Sequence, residues 1–167
     1  MNPYDMREKC EVPPLCYDFS NVANYLERDD VREALGVGDR RWADCSKSVA
    51  IRFELSGDYI KEYQQLVPDL LENGIPVLVY AGDQDYICNW LGNQAWTLAL
   101  PWSGQGAFNA TTPADWSVAG AKAGELRSSG TFSFLRVLAA GHMVPRDQPE
   151  VALSMINSFV AGTLGRR

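Results

Sequence analysis

Residues 132–145 have the sequence F-S-F-L-R-V-L-A-A-G-H-M-V-P and contain the single histidine of the 167-residue chain, His142. The almost continuous apolar run over residues 132–138 predicts a buried β-strand, and the A-A-G sequence after it predicts a tight turn. His142 is therefore expected just beyond the carboxyl end of a strand, where open α/β sheets place their ligands and reactive groups. Because imidazole titrates near neutral pH, any general base in this chain would have to be His142. A structural histidine packed in a loop is the alternative.

A second strand, central and parallel, is predicted within residues 75–85, I-P-V-L-V-Y-A-G-D-Q-D, where a short apolar run ends at a glycine and two carboxylates. Asp83 and Asp85 are two residues apart, so both could lie on the same side of an extended backbone. Either carboxylate could orient the imidazole of His142 and stabilise its cation. An acid followed along the chain by a histidine matches the last two members of an α/β-hydrolase triad, whose serine comes first in a G-x-S-x-G turn. The sequence contains no G-x-S-x-G, so it predicts a base and its orienting acid without their nucleophile.

The segments before these strands predict helices. Residues 21–35 predict one or two short helices, with Asp29 as the N-cap and Gly36 as the stop. A helical pattern beginning near Asp58 ends at residues 73–74, N-G, and leads directly into the strand. Pro68 lies inside this pattern and should bend or divide the helix, because it lacks an amide donor and clashes with the preceding turn.

Between and after the two strands we predict further scaffold elements. Residues 89–100 predict a tryptophan-rich helix, and short antiparallel strands near the edge of a mixed sheet are predicted at residues 116–118 and 124–127. Asp147 and Glu150 suggest a capping box for a closing helix. The apolar face of that helix is predicted to contain Ala152, Met155, Ile156, Phe159 and Val160.

Composition limits the classes of function. With 46% hydrophobic residues the chain can bury a core of single-domain size, so residues 1–167 are predicted to form one globular unit or part of one. The formal net charge is −6 and there is no run of Lys or Arg, which argues against nucleic acid or an anionic membrane as a partner. Met1 is followed by N-P-Y-D and not by an apolar run, so no signal peptide is predicted at this end.

Three segments carry a specific resemblance to a known family: N-P-Y-D-M-R-E-K-C-E at residues 2–11, A-G-D-Q-D-Y-I-C-N-W-L-G-N-Q-A-W at 81–96, and G-H-M-V-P-R-D-Q-P-E-V-A-L-S-M at 141–155. The chain resembles the C-terminal portion of a serine carboxypeptidase of the carboxypeptidase Y type. This resemblance implies an α/β fold, the C-terminal part of an α/β-hydrolase, with a mixed, mostly parallel sheet flanked by helices. It also implies hydrolysis of C-terminal peptide bonds, with no cofactor.

The resemblance assigns roles that the residues alone leave open. It places the triad aspartate at Asp85 and the triad histidine at His142, and makes Asp83 a structural acid. The serine, the oxyanion hole and the carboxylate-binding groups would lie upstream of Met1, so the expected partners are peptide or protein C-termini and the serine-bearing N-terminal part. Tyr17, Cys88 and Met143 fall on substrate-binding positions of the family.

The four cysteines, Cys10, Cys16, Cys45 and Cys88, favour disulfide chemistry over metal binding, because there is no C-x-x-C and only one histidine. Cys10 and Cys16 flank E-V-P-P-L, a segment that two prolines bias towards turn geometry, so a local bridge is feasible. By resemblance, Cys45 pairs with an upstream cysteine and Cys88 is a free thiol near the histidine. No metal site is predicted.

Residues 109–111, N-A-T, match the N-glycosylation acceptor pattern at Asn109, which we place in a polar loop. Its use requires the secretory pathway, and the resemblance implies a secreted, vacuolar or lysosomal glycoprotein. Two classes of function remain open. One is the catalytic part of an exopeptidase, and the other is a non-catalytic module for folding or binding that is inactive alone. An intact esterase or lipase is disfavoured by the three family segments.

Overall fold

The structure, a computed structural model, describes residues 1–165, which fall into two compact units. One unit combines Met1–Lys9 with the chain from Tyr63 onward, and the other is Cys10–Glu62. The assignment of residues 1–167 to one domain remains a prediction. Within the described residues, no helix is long and apolar enough to span a bilayer.

The Cys10–Glu62 unit contains three short α-helices: α1 (Ser20–Leu26), α2 (Asp29–Leu35) and α3 (Lys47–Leu55). Residues 21–35, predicted to form one or two short helices, contribute to two, and Gly36 ends α2 in the left-handed conformation, at φ 67°. The prediction of Asp29 as the cap is wrong. Arg28 occupies the N-cap position, and Asp29 is the first helical residue, where its carboxylate pairs with Arg32 one turn later at 2.5 Å.

Helix α3 was not predicted, since its residues are all exposed and give no buried stripe to detect. A 3-10 turn, Asp58–Ile60, follows it. The same unit holds the disulfide between Cys10 and Cys16, while Cys45 is a free, exposed thiol.

The other unit is built on a four-stranded mixed sheet: β1 (Val77–Gly82), β2 (Ala114–Val118), β3 (Ala121–Ser129) and β4 (Phe132–Val137). Its spatial order is β1-β4-β3-β2, with β1 parallel to β4 and the two other pairs antiparallel. Both strands predicted from apolar runs are confirmed as this parallel pair. The predicted central position of the strand in residues 75–85 is wrong among the described strands, because β1 lies at one end of the order. The sheet is mixed as predicted, but within these four strands it is not mostly parallel, because β1–β4 is parallel and the other two pairs are antiparallel.

The sheet is covered on both faces. Leu135 and Val137 of β4 pack in one apolar cluster with Ala152 and Met155 of the closing helix. The alternate residues of β4 belong to a second cluster that contains Leu71, Leu100, Phe108, Phe132 and Phe134. Because successive side chains of a strand point to opposite faces, β4 buries apolar groups on both sides and forms the centre of the unit.

Helices on one face come from residues 63–110. A 3-10 turn, Tyr63–Leu66, leads into α4 (Val67–Glu72), so Pro68 stands in the first turn of a separate helix and the predicted division is confirmed. Helix α5 (Trp90–Ala99) is capped by the Asn89 side chain, which accepts a hydrogen bond from the Gly92 amide at 2.8 Å. Helix α6 (Gln105–Ala110) replaces the predicted loop. Asn109 therefore lies in a last helical turn, where its amide donates to the Leu98 carbonyl at 3.1 Å.

The chain closes with a short helix, α7 (Val144–Asp147), and α8 (Pro149–Val160). The predicted capping box is wrong: Gln148 is the N-cap residue of α8, and Asp147 instead accepts a hydrogen bond from the Gly141 amide at 2.7 Å. The predicted apolar face is correct at two buried positions, Ala152 and Met155. It is wrong at Ile156 and Val160, which are 47% and 81% exposed.

Glycine at position 82 is required by close packing at the end of β1. A Cβ there would lie 2.3 Å from the carbonyl oxygens of both Ala140 and Gly141, which are main-chain atoms with little freedom to move. We expect Gly82→Ala to lower the free energy of unfolding by about 3 kcal/mol through overpacking. Gly106→Ala in α6 is the matched control, because a Cβ there meets nothing within 4 Å. Urea unfolding should show that control at least as stable as the parent, by up to about 1 kcal/mol, because alanine favours the helix more than glycine does. Equal stabilities of the two variants would contradict the packing.

Candidate active site

Two loops leave the sheet side by side because β1 and β4 are parallel and end in register, with Gly82 opposite Val137. The Asp83 amide donates to the Val137 carbonyl at 2.9 Å, and the Gln84 amide donates to the Ala140 carbonyl at 2.9 Å. These bonds continue the strand pairing into the loops. The acids after β1 are thereby brought against the turn that follows β4.

The two loops bring the side chains of Asp85 and His142 into contact. Nδ1 of His142 lies 2.9 Å from Oδ2 of Asp85, although the residues are 57 positions apart. The Asp85 side chain is only 4% exposed, whereas the imidazole is 40% exposed. A carboxylate can only accept a hydrogen bond, so Nδ1 carries the proton in this pair and Nε2 is left as the basic nitrogen. No group within residues 1–165 forms a hydrogen bond with Nε2.

The second oxygen of Asp85 is also bonded. Its Oδ1 accepts a hydrogen bond from the amide of Cys88 at 3.1 Å. A buried carboxylate that accepts from both an amide and an imidazole has little rotational freedom. Asp85 is therefore held in a single orientation towards the ring.

Asp83, the other acid that the sequence left open, has a different partner. Its Oδ2 lies 3.8 Å from a guanidinium nitrogen of Arg136. The chain turns at Asp83 and Gln84 and does not stay extended, so the carboxylates of Asp83 and Asp85 diverge. The geometry distinguishes the two acids, and it is Asp85 that contacts the histidine.

An open pocket of about 200 Å³ lies beside the pair and is lined by Tyr80, Ala81, Gly82, Asp85, Cys88, Asn93, His142 and Val144. Cys88 is a free thiol at its edge. Burial raises the pKa of this thiol, and the negative charge of Asp85 raises it further. Met143 is half-buried and immediately precedes α7.

The remaining predicted site residues lie elsewhere. Tyr17 belongs to the Cys10–Glu62 unit, where it is buried and meets Phe19 edge-on. The structure therefore brings together three of the predicted residues, Asp85, Cys88 and His142.

These three residues also present one oxygen, one sulfur and one nitrogen within 4.8 Å of each other. Zn²⁺ accepts ligands of these types. A metal bound there would compete with the hydrogen bond between Asp85 and His142, which already satisfies two of the three groups. We assign no metal role to the cluster.

Sequence reasoning missed Tyr4. Its carbonyl accepts a hydrogen bond from the His142 amide at 2.7 Å, and the two ring centroids are 5.4 Å apart. Nothing in local periodicity connects residues at opposite ends of a chain. The segment N-P-Y-D-M-R was visible as a family match, but no role could be attached to it.

The site holds an imidazole that a buried acid orients. Such a pair can take a proton from a hydroxyl placed at Nε2 and return it later. A hydroxyl nucleophile must be brought to Nε2 to complete this chemistry.

The electrostatic influence of Asp85 on Cys88 can be measured directly. Asp85→Asn removes a negative charge that raises the thiol pKa, so a larger fraction of Cys88 is thiolate at any pH below that pKa. We expect alkylation of Cys88 by iodoacetamide to accelerate roughly two- to fivefold at pH 8. Peptide mapping by mass spectrometry separates this from Cys45, whose rate should not change. Slower alkylation of Cys88 in the variant would contradict the proposed influence.

Comparison with known proteins gives a consistent result. The serine carboxypeptidase family profile matches residues 1–162. A serine carboxypeptidase-like protein of Pisum sativum is 48% identical over 98% of this chain and 56% of its own length. Carboxypeptidase Y of Candida albicans is 46% identical over 96% of this chain and 30% of its own length.

A solved structure agrees with the sequence comparisons. Kex1, a prohormone-processing carboxypeptidase of Saccharomyces cerevisiae, superposes with a TM-score of 0.79 at 26% identity, over 96% of this chain and 36% of Kex1. This likeness confirms that the chain has the fold of part of an α/β-hydrolase. The chain spans between about a third and about half of the length of these three proteins. With matches over nearly its whole length, the chain belongs to the serine carboxypeptidase family.

Proposed function

We propose that this chain supplies the acid and the base of a serine carboxypeptidase, and that the assembled enzyme hydrolyses C-terminal peptide bonds. The observation that carries the proposal is the 2.9 Å contact between the buried Asp85 carboxylate and Nδ1 of the half-exposed His142. Membership of the serine carboxypeptidase family supports the reaction class.

In this proposal, His142 Nε2 takes the proton of a serine hydroxyl as that oxygen attacks the carbonyl carbon of the C-terminal peptide bond. The resulting imidazolium gives the proton to the nitrogen of the leaving amino acid when the bond breaks. Asp85 keeps the imidazole in the tautomer with its proton on Nδ1 and stabilises the cation. Water then releases the acyl group by the reverse sequence, with His142 again as the base.

The serine is proposed to come from another segment of polypeptide, since the sequence contains no G-x-S-x-G. The sheet supports this, because β1 lies at one end of the strand order and pairs only with β4 among the described strands. Tyr80 of β1 and Ile75 just before it are large apolar residues that remain exposed. A serine-bearing segment that extends the sheet beyond β1 would cover this edge and approach the imidazole.

Substrate contacts and cellular location follow as further parts of the proposal. By resemblance to the family, Tyr17, Cys88 and Met143 are proposed as substrate-binding residues, and Cys88 lines the pocket beside the pair. The disulfide between Cys10 and Cys16 favours an oxidising compartment, consistent with the secretory pathway and a vacuolar, lysosomal or secreted destination. Glycosylation of Asn109 would require the hydrogen bond from its side-chain amide to the Leu98 carbonyl to break.

Substitutions at Asp85 and His142 distinguish the proposed function from the alternative, a non-catalytic module. In the enzyme assembled with the serine-bearing segment, His142→Ala should lower kcat by several orders of magnitude, and Asp85→Asn by about 10⁴, because the imidazole would lose its productive tautomer. Asp83→Asn is the matched control, since Asp83 contacts Arg136 and not the imidazole. Peptide hydrolysis should stay within about threefold of the parent in that control. Full activity of His142→Ala would rule out the proposal.

The origin of the nucleophile is tested by covalent labelling. The chain alone should not react with a serine-directed fluorophosphonate, because a base and its orienting acid cannot form an acyl intermediate without a nucleophile and oxyanion donors. The assembled enzyme should be labelled on the added segment, and mass spectrometry locates the modified residue. A label on a serine of this chain would place the nucleophile here instead.

The exposed edge of β1, unpaired among the described strands, offers its main-chain groups to other copies of the chain. The chain alone should self-associate in light scattering, because an uncovered strand edge and exposed apolar side chains favour pairing with other copies. Addition of the serine-bearing segment should give a discrete complex. A monodisperse monomer in its absence would indicate that the edge needs no covering segment.

A further inference from the structure

Residues 2–7, N-P-Y-D-M-R, hereafter the clamp segment, contact both loops of the acid–base pair. They belong to the same compact unit as the sheet, although more than 50 residues separate them from β1 in sequence. The two loops are the acid loop, residues 83–89 after β1, and the histidine loop, residues 138–143 after β4. Neither loop is a helix or strand at Asp85 or His142. Their geometry therefore depends on contacts from elsewhere.

The clamp segment first holds the acid loop through main-chain hydrogen bonds. The Pro3 carbonyl accepts from the amides of Tyr86 and Ile87, at 3.2 and 3.0 Å, and the Met6 amide donates to the Gln84 carbonyl at 3.0 Å. These bonds lie on both sides of Asp85 in the sequence. They restrict the backbone that carries the carboxylate.

The same segment holds the histidine loop at its backbone. The Tyr4 carbonyl accepts the His142 amide at 2.7 Å. This approach requires glycine at position 141, because a Cβ there would lie 2.4 Å from the Tyr4 carbonyl oxygen and 2.8 Å from Cβ of Asp5. The clamp segment and the histidine loop are thus in direct contact over Gly141 and His142.

A charged pair within the clamp segment extends this contact. Asp5 is fully buried, and Arg7 binds its carboxylate in a fork, with Nε to Oδ1 at 2.9 Å and Nη2 to Oδ2 at 2.5 Å. The remaining guanidinium nitrogen, Nη1, donates to the carbonyl of Ala139 at 2.9 Å. Asp147 lies 3.9 Å from Nη2 of Arg7 and accepts the Gly141 amide.

The residue whose carbonyl accepts the hydrogen bond from Arg7 is Ala139. Ala139 has φ 53°, in the left-handed region that a residue with a Cβ occupies at a cost. The hydrogen bond from Arg7 to its carbonyl opposes relaxation of this turn. Three residues later, the same turn delivers the imidazole to Asp85.

We propose that the clamp segment positions His142 against Asp85, with Arg7 as the positioning residue that connects the buried Asp5 to the turn at Ala139. Its effect on catalysis rests on the proposed function, while its effect on the imidazole does not. The bond between Nδ1 and Asp85 should therefore respond to a change at Arg7, a residue that contacts neither the imidazole nor the Asp85 carboxylate.

His142 is the only histidine, so selective ¹⁵N-histidine labelling reports this one ring by NMR, both in the chain alone and in an assembly with unlabelled partner. The test variant is Asp5→Asn combined with Arg7→Gln, which removes the donor to Ala139 without leaving an unpaired charge at the buried position 5. We expect exchange of the His142 Hδ1 proton with solvent to accelerate about five- to tenfold, as loss of one or two supporting hydrogen bonds predicts.

Arg127→Gln is the matched control for general loss of stability. Its guanidinium also binds main-chain carbonyls, those of Phe108 and Asn109 at 3.1 Å, but on helix α6. Hδ1 exchange in this control should equal that of the parent. Arg7→Lys keeps the charge beside Asp5 but not the forked geometry, so we expect an intermediate rate. Unchanged Hδ1 exchange in the double variant would overturn the proposal, as would equal acceleration in the Arg127 control.

Activity of the assembled enzyme gives a second readout. The double variant should lower kcat about tenfold and leave KM unchanged, because the clamp segment is proposed to act on proton transfer and not on substrate binding. A parent assembly with no peptidase activity would refute the proposed function, and Hδ1 exchange would still decide the role of the clamp segment. A change confined to KM would contradict positioning of the base.

Discussion

The parallel pairing of β1 and β4 is the constraint on which the site depends. Because the two strands run in the same direction and end in register at Gly82 and Val137, both following loops leave from one edge of the sheet. The hydrogen bond from the Gln84 amide to the Ala140 carbonyl then extends the contact beyond the strands. An antiparallel pair would have placed the acid and the histidine at opposite ends of the sheet.

The two side chains of the pair differ in burial. The carboxylate of Asp85 is almost inaccessible to water, so its charge is stabilised by the imidazole and by the Cys88 amide. The imidazole is partly exposed and keeps Nε2 available. This asymmetry gives the ring one fixed side and one accessible side, the arrangement that the proposed general base requires.

Tight packing at the edge of the sheet links the site to the far end of the sequence. Gly82 and Gly141 let main-chain carbonyls approach to distances that any side chain would block. Tyr4 and Asp5 occupy the space over Gly141, and residues 3–6 form main-chain hydrogen bonds with both loops. The stability of the clamp segment and the geometry of the pair are therefore coupled, whereas the β1 edge remains open to a further strand.

The sequence by itself determined the features that depend on local patterns. Apolar runs identified both strands of the parallel pair, Pro68 predicted the divided helix, and the short spacing of Cys10 and Cys16 suggested their bridge. The order of acid and histidine, together with the three family segments, predicted the pair. These inferences succeed because periodicity, proline geometry and short loops act over a few residues.

Tertiary structure decided what local patterns leave open. It distinguished Asp85 from Asp83, because the turn after Gly82 aims one carboxylate at the imidazole and the other at Arg136. It also showed that Asp147 accepts a hydrogen bond from the Gly141 amide, where the sequence had suggested a helix cap. It placed Tyr4 against His142. Each of these contacts is fixed by which backbone groups the folded sheet edge brings within hydrogen-bonding distance, and sequence spacing carries no information about that distance.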